Sequence, residues 1–243
     1  SSLVSLGKLA ALLRICWPGS MADRSPPRTE ILLGGDAAHV RGLFLGLGVA
    51  YSSLLAELRR REKADGIKGT YWQNAGGVAV TRVRRAPDLV GYPAHAAVVE
   101  RMAAYFGADV EGWWVNHYAR GADVKGMHRD GWGRDRGVNI TMGASFGSAR
   151  TLRFEASDGR AEPRQLDCPQ EDGDAFAFGA LANSRYRHGV PAERARGPRI
   201  SVILMGRAPA DWASLLAPPL RGDGEGAPPA EAVAAAPSRR WNR

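Results

Sequence analysis

The stretch "WWVNHYARGADVKGMHRD", residues 113–130, lies where the pattern of the sequence changes. Its first residues alternate in the manner of a β-strand, which places Asn116 and Tyr118 on the same face. Near its end, His128 and Asp130 stand two positions apart, as two ligands of one metal ion do when they share a strand face. An HxD triplet also arises by chance, so the rest of the chain decides whether this one is a metal site.

Short strand-like segments follow this stretch, separated by glycine, aspartate and proline. They are VNITMGAS (138–145), TLRFEA (151–156), DAFAF (174–178), SRYRHGV (184–190) and RISVILMGR (199–207). Before it, apolar residues recur at helical spacing over 43–58, and a second helix is predicted over 94–106. Helices followed by many short strands predict an α+β protein, with an antiparallel barrel or jelly-roll core and N-terminal supporting helices.

The two ends of the chain differ from its middle. Residues 1–20 contain no acidic residue, and Met21 resembles an ordinary start, so 1–30 is expected to be a disordered leader or an import presequence. Residues 211–243 are rich in Gly, Pro and Ala and are expected to form a disordered tail. The folded domain is therefore predicted over 31–210.

The composition is that of a soluble globular protein. Of the 243 residues, 44% are hydrophobic and 24% charged, and no apolar run approaches the ~20 residues that span a membrane. Two cysteines, Cys16 and Cys168, argue against a disulfide framework and against a cysteine-built zinc site. The net charge of +8 favours a polyanionic partner such as nucleic acid. Only four of the 33 basic residues are lysines, so a GC-rich coding bias accounts for the arginines equally well.

A metal site needs a third ligand beside the HxD pair, and the chain contains five histidines. Three are placed elsewhere by the pattern: His39 and His95 fall on predicted helices, and His117 lies on the strand face opposite Asn116. His188 remains. Two histidines and one carboxylate form the facial triad of non-haem Fe(II) oxygenases, which leaves coordination positions open. The alternative for His188 is a histidine that simply packs in the core.

An oxygenase that uses 2-oxoglutarate also needs a buried arginine, because a guanidinium binds the distal carboxylate in a bidentate manner. Arg199 begins RISVILMGR, eleven residues after His188, and Ser201 shares its face. Asn116 and Tyr118 could add hydrogen bonds to the same anion. The alternative for Arg199 is a surface position, as for most arginines of this chain.

This ordered set of motifs resembles the AlkB family of Fe(II)/2-oxoglutarate-dependent dioxygenases. The resemblance is carried by NHYARGADVKGMHRD (116–130), SRYRHGVP (184–191) and RISVIL (199–204), and it covers about half the chain. It implies a double-stranded β-helix fold and O₂ as a further cosubstrate. By resemblance, iron(II) would be held by His128, Asp130 and His188, and 2-oxoglutarate by Asn116, Tyr118, Arg199 and Ser201. Many members remove alkyl groups from bases, so the resemblance implies oxidative demethylation of DNA or RNA.

Two positions depart from the family's pattern. The second arginine, six residues after the first, is replaced by Met205, and the nearest arginine is Arg207. Arg207 has the right strand parity for a second carboxylate contact but lies one pleat too far unless a bulge shortens the path. Members that repair nucleic acid tend to carry an acid four residues after the first ligand histidine, where this chain has Trp132. That exchange leaves the identity of the base open.

The expected partner is nucleic acid, presented as a single strand or a flipped base. Candidate substrate contacts are the rings of Trp72, Tyr92 and Trp132 and the charge of Arg134, with core packing or a solvated face as the alternative for each. No membrane partner is expected, and the protein is expected to be a monomer. The compartment would be cytoplasmic or nuclear, or an organelle if 1–20 directs import. Two rival functions stay open: a 2-oxoglutarate oxygenase acting on a protein or small molecule, and a non-catalytic jelly roll that binds nucleic acid.

Overall fold

The computed structural model describes residues 26–65, 71–73, 79–83, 91–132, 137–157 and 161–216, with the backbone alone for 61–65, 71–73 and 79–83. The strands are β1 (Arg28–Leu32), β2 (Ala37–Arg41), β3 (Tyr71–Gln73), β4 (Ala79–Val83), β5 (Asp109–Tyr118), β6 (Lys125–His128), β7 (Ile140–Gly147), β8 (Arg150–Ala156), β9 (Gln165–Gln170), β10 (Ala175–Gly179), β11 (Tyr186–Val190) and β12 (Arg199–Arg207). The helices are α1 (Tyr51–Asp65), α2 (Pro93–Phe106), α3 (Ala180–Arg185) and α4 (Trp212–Leu216), and a 3-10 turn at Leu33–Gly35 joins β1 to β2.

The strands form two antiparallel sheets. The larger has the order β1-β2-β10-β7-β12-β5-β4-β3, and the smaller has the order β6-β11-β8-β9. From β5 to β12 the chain crosses between the sheets at every step except β8 to β9, which is how a jelly roll is wound. The predicted fold class, a double-stranded β-helix core with supporting helices, is therefore confirmed.

Side chains point alternately to the two faces of the larger sheet, and both faces are buried. On the outer face, Trp113 of β5 and Leu204 of β12 belong to a core that includes residues of α1, α2 and α4. On the inner face, Phe176 and Phe178 of β10 pack with Phe154 of the smaller sheet. Side chains one residue apart on a strand therefore serve different purposes: one supports the fold, and the next reaches the space between the sheets.

One of the two predicted helices lies where it was expected, and the other begins later in the chain. The helix predicted over 94–106 is α2, which begins with Pro93 and ends at Gly107 in the left-handed conformation with φ of 60°. The helix predicted over 43–58 begins only at Tyr51, because the preceding residues form turns in which Gly46 and Gly48 have φ of 88° and 73°. Their positive φ angles are incompatible with a right-handed helix.

A further correction concerns His39, which was expected on a helix. It lies instead on β2, where it pairs in register with Glu30 of β1 and Phe176 of β10. The stretch 37–41 is too short for its period to separate strand from helix, and its pairing with two neighbouring strands decides the outcome.

The regular elements extend a few residues beyond 31–210 at both ends. Strand β1 begins at Arg28, and Trp212 of α4 is buried with its ring centroid 6.0 Å from that of Phe106. The expected leader up to residue 25 and the expected tail from residue 217 lie outside the described residues. Among the helices that the structure describes, none is long and apolar enough to cross a membrane.

Candidate metal centre

Two histidines meet across a pair of strands in the smaller sheet. His128 of β6 and His188 of β11 are partners in the antiparallel register, and their ring centroids lie 4.4 Å apart. The Oδ1 atom of Asp130 lies 3.6 Å from Nε2 of His128, and its Oδ2 atom lies 3.7 Å from Nε2 of His188. One ligand atom from each residue lies within 4.8 Å of the others, so this His–Asp–His cluster could hold a metal ion.

The hydrogen bond of His128 leaves its metal-binding nitrogen free. Its Nδ1 atom lies 2.8 Å from the carbonyl oxygen of Gly126. A carbonyl only accepts, so Nδ1 carries the proton of this bond, and Nε2 is the nitrogen that faces Asp130. The His128 side chain is 34% exposed, whereas those of Asp130 and His188 are below 10%. The cluster is therefore open to solvent on the side of His128.

The protonation states of the other two members also suit a cation. Burial lowers the pKa of His188 to about 4, so its imidazole is neutral at neutral pH. Burial alone would raise the pKa of Asp130, but the neighbouring His128 and His188 and the hydrogen bond from the Thr141 hydroxyl hold it below its ordinary value. A carboxylate and a neutral imidazole are the forms in which these two side chains coordinate a divalent ion.

Asp130 is not on a strand, in contrast to the prediction that strand parity aligns the HxD pair. Strand β6 ends at His128, and the structure holds Asp130 by other means. Its backbone N–H donates to Oδ1 of Asn183 at 3.0 Å, and its carbonyl accepts from Nδ2 of Asn183 at 3.0 Å. The Thr141 hydroxyl donates to Oδ2 of Asp130 at 2.8 Å. Asn183 belongs to α3, which Asp36 fixes by accepting the Ala182 N–H at 2.6 Å.

A cavity between the sheets connects the His–Asp–His cluster to polar residues deeper in the protein. The inward side chains of β5 and β12 form its floor, and apolar side chains such as Leu152, Phe176 and Val190 line its sides. The register pairs Arg199 with Tyr118 and Ser201 with Asn116, and all four side chains line the cavity. The four residues predicted to hold 2-oxoglutarate are thus brought together.

Arg199 is buried in this floor, so the alternative prediction, which placed it on the surface, is wrong. Only 1% of the residue is exposed, and its Nε donates to the Ser145 hydroxyl at 2.8 Å. Its guanidinium carbon lies 5.3 Å from the centroid of the Tyr118 ring. Among the described residues, Nη1 of Arg199 has no hydrogen-bond partner, and neither has Oδ1 of Asn116. A buried N–H without a partner is costly, so the geometry of Arg199 suits a bound anion, whereas Oδ1 of Asn116 can only accept and needs a donor.

Four residues of the site were missed by sequence reasoning. Thr141 and Ser145 lie on the inner face of β7, and their spacing of four could have marked them. Asn183 gave no signal, because it acts on a backbone 53 positions away. Arg150 is buried and donates to the carbonyls of Asp123 at 2.8 Å and Pro191 at 2.6 Å, which ties together the loops beside Tyr118 and Val190.

Arg207 does not reach the cavity. A register shift does occur between Met205 and Gly206, as the second-arginine hypothesis required. However, Arg207 forms an ion pair with Glu111 of β5, and its side chain is 48% exposed. It lies eight residues from Arg199 along one strand, a separation of about 26 Å. The prediction that Arg207 makes a second carboxylate contact is therefore wrong. The lysine and arginine side chains that line the cavity are Lys125 and Arg199.

Of the candidate substrate contacts whose side chains the structure describes, Trp132 and Tyr92, neither lines the cavity. Trp132 is half-buried, with its ring stacked on that of Phe178 at 6.5 Å, and it is not part of the cavity lining. Tyr92 directly precedes α2 and also lies outside that lining. Trp72 lies on β3, for which only the backbone is described, and Arg134 lies outside the described residues.

Neither a family of known proteins nor a curated protein matches this sequence. By structure, the chain is similar to OsALKBH1, with a TM-score of 0.52 and 12% identity over 75% of this chain and 100% of that one. Two further similar structures are a Pseudomonas putida prolyl-4-hydroxylase (TM-score 0.42, 13% identity, 71% and 94% covered) and SnoN, a non-heme alpha ketoglutarate dependent epimerase from nogalamycin biosynthesis (0.44, 14%, 71% and 80%). The likeness to OsALKBH1 shows a shared jelly-roll fold, at an identity too low to show a shared activity.

Proposed function

We propose that this protein is an Fe(II)/2-oxoglutarate-dependent dioxygenase that oxidatively demethylates alkylated bases in nucleic acid. The observation that carries the proposal is one cavity that joins a His–Asp–His cluster to a buried arginine with an unpaired N–H. Each feature alone also occurs in proteins of other classes. Together they match the two needs of this enzyme class, a metal with open coordination positions and an anchor for a dicarboxylate.

His128, Asp130 and His188 would hold the iron ion. Two imidazole nitrogens and one carboxylate would leave further coordination positions open for cosubstrates. When bound, iron(II) with 2-oxoglutarate supplies the oxidative chemistry: O₂ puts one oxygen atom into a substrate C–H bond and the other into succinate, with loss of CO₂.

The distal carboxylate of 2-oxoglutarate would lie at the floor of the cavity. There Nη1 of Arg199 can donate a charge-assisted hydrogen bond, and the Ser201 and Tyr118 hydroxyls lie on the same floor. The bond of Arg199 Nε to Ser145 fixes the guanidinium plane before the anion arrives. The apolar side chains around the middle of the cavity would cover the carbon chain and exclude water.

The substrate would approach over His128, the exposed member of the cluster. A methyl group on a base nitrogen becomes a hydroxymethyl group after oxygen insertion, and this product releases formaldehyde and leaves the unmodified base. A base inside a duplex cannot reach the cluster, so the substrate would be a single strand or a flipped base. The resemblance of 116–130 to nucleic-acid-repair proteins and the net charge of +8 support this choice.

One observation favours a second candidate, an oxygenase of the same chemistry that acts on a protein or a small molecule. Trp132 stands in the position of the base-reading acid, and its ring packs inward on Phe178 rather than toward the cavity. The non-catalytic module is less well supported, because it has no use for a buried, incompletely paired Arg199.

The test is to load the protein anaerobically with Fe(II) and 2-oxoglutarate, admit O₂, and measure succinate and formaldehyde against panels of methylated oligonucleotides, peptides and metabolites. Succinate with formaldehyde from oligonucleotides alone is expected, with activity that falls steeply as salt rises. Turnover of a peptide or metabolite instead would establish the second candidate. Absence of succinate under all conditions, with the protein folded and iron-loaded, would refute both.

A further inference from the structure

We infer that Trp132 is a positioning residue for the metal ligand Asp130 and acts through the hydroxyl of Thr141. The inference rests on the proposed function, since it concerns a ligand of the same iron site. It gives Trp132 a role different from the base-stacking one that its place in the sequence suggested.

Trp132, Thr141 and Asp130 form a chain of two hydrogen bonds, called the relay below. The direction of each hydrogen bond follows from the chemistry of its two groups. The indole Nε1–H of Trp132 can only donate, and it lies 3.0 Å from Oγ1 of Thr141. The carboxylate of Asp130 can only accept, and its Oδ2 lies 2.8 Å from the same Oγ1. The hydroxyl of Thr141 therefore accepts from Trp132 and gives its single proton to Asp130. The indole occupies an acceptor position of the hydroxyl and so turns its proton toward the carboxylate.

The relay orients the carboxylate of Asp130, which the backbone does not orient. Asp130 lies beyond the end of β6, so no strand pairing sets the angle of its carboxylate. Asn183 holds the backbone of Asp130 by two hydrogen bonds but does not contact its side chain oxygens. The bond from Thr141 engages Oδ2, which leaves Oδ1 directed toward Nε2 of His128 at 3.6 Å.

The surroundings hold both relay members in place. Thr141 is 1% exposed and lies on β7, in the middle of the larger sheet. The Trp132 ring lies 18° from parallel to the ring of Phe178, which is fully buried. A tryptophan placed mainly to stack a substrate base would need neither an occupied N–H nor a ring packed on the core. Partners of metal ligands typically change metal affinity by about 10–100-fold when they are removed.

The experiment compares Thr141→Val, Trp132→Phe and the double variant. Valine removes the hydroxyl at nearly constant shape, and phenylalanine removes the N–H but keeps an aromatic ring. Matched controls are Thr151→Val, on the face of β8 away from the cavity, and Trp113→Phe. The indole N–H of Trp113 is buried in the outer core without a partner among the described residues. Co(II) serves as the probe, with its dissociation constant and visible absorption bands as readouts and thermal unfolding as a check on folding.

Thr141→Val should raise the Co(II) dissociation constant about tenfold and shift the visible bands, because Asp130 loses its orientation. Trp132→Phe should act in the same direction. In the Thr141→Val background, however, it should add nothing, because the indole acts through the hydroxyl. Both control variants should bind Co(II) as the unmodified protein does.

Three outcomes would overturn the inference while leaving the proposed function intact. They are unchanged Co(II) affinity and spectra in both relay variants, full additivity of the two substitutions, or a Trp132→Phe effect seen in oligonucleotide binding alone. If the unmodified protein itself binds no Co(II), Fe(II) or Zn(II), the proposed function fails first, and the relay fails with it.

Discussion

His128 and His188 are directly opposed in the register of β6 and β11, so the geometry of the cluster depends on the pairing of two strands 60 residues apart in the chain. A bulge follows at once, between His188 and Val190. A slip of one residue would turn either imidazole to the opposite face of the sheet. The cluster therefore requires the smaller sheet to be correctly formed.

The first prediction concerns metal binding. His188→Ala or Asp130→Ala should abolish tight binding of Co(II), because two remaining ligands hold a divalent ion poorly. Equilibrium titration against a competing chelator measures the effect. His117→Ala is the matched control, since His117 faces away from the cavity and bonds through Nε2 to the Tyr51 hydroxyl at 2.9 Å. Full affinity in His188→Ala would contradict the assignment.

The second prediction concerns the anchor of the cosubstrate. Arg199→Lys should weaken 2-oxoglutarate binding by about 1.5–3 kcal/mol, because an ammonium group cannot reproduce the geometry of a guanidinium. The same substitution should weaken the binding of 4-oxopentanoate by the same factor. This compound keeps the distal carboxylate and carries a methyl group in place of the carboxylate next to the keto group. Calorimetric titration of the Co(II)-loaded protein measures both. Loss of 2-oxoglutarate binding alone would mean that Arg199 holds the opposite end.

The third prediction separates the two candidates for the other carboxylate. Arg207→Gln should leave 2-oxoglutarate affinity unchanged, because Arg207 lies at the far end of β12 and forms an ion pair with Glu111 of β5. Lys125→Met should weaken the binding of 2-oxoglutarate but not that of 4-oxopentanoate, since Lys125 lines the cavity and its positive charge contributes to the lowered pKa of His188. Equal affinities for 2-oxoglutarate in the unmodified protein and Lys125→Met would show that no lysine contact exists.

Strand parity allowed much of the cavity floor to be predicted. Asn116 and Tyr118 on one strand, and Arg199 and Ser201 on another, are two residues apart, and alternation is a local property that needs no knowledge of the fold. Antiparallel pairing of β5 with β12 then brings the four together. The same reasoning placed His128 correctly and failed for Asp130, because the strand ends before it.

The remaining features depend on contacts between distant segments. Asn183 holds Asp130 from a six-residue helix, and no periodicity marks a side chain that binds the backbone of another loop. Arg150 was one arginine among many until burial distinguished it. His39 was misplaced because a five-residue strand between two neighbours carries too short a pattern, and tertiary pairing overrides local preference there.

The last prediction concerns stability and rests on His39. Its Nε2 lies 3.0 Å from Oδ2 of Asp174, whose Oδ1 accepts the backbone N–H of Gly42 at 2.9 Å. Burial opposes the charge on the imidazole, but the hydrogen bonds with Asp174 and Cys168 outweigh it and raise the pKa of His39 to about 9.

Because this pKa lies above the unfolded value near 6.5, the charged pair stabilises the fold fully below about pH 6.5, and the stabilisation is lost as the pH rises through 9. The difference in unfolding free energy between the unmodified protein and His39→Gln should therefore shrink by about 1–3 kcal/mol from pH 6 to pH 9. Urea unfolding at several pH values measures it, and the comparison with the variant cancels the titration of all other groups. A difference that stays constant over this range would show that His39 is neutral in the folded protein.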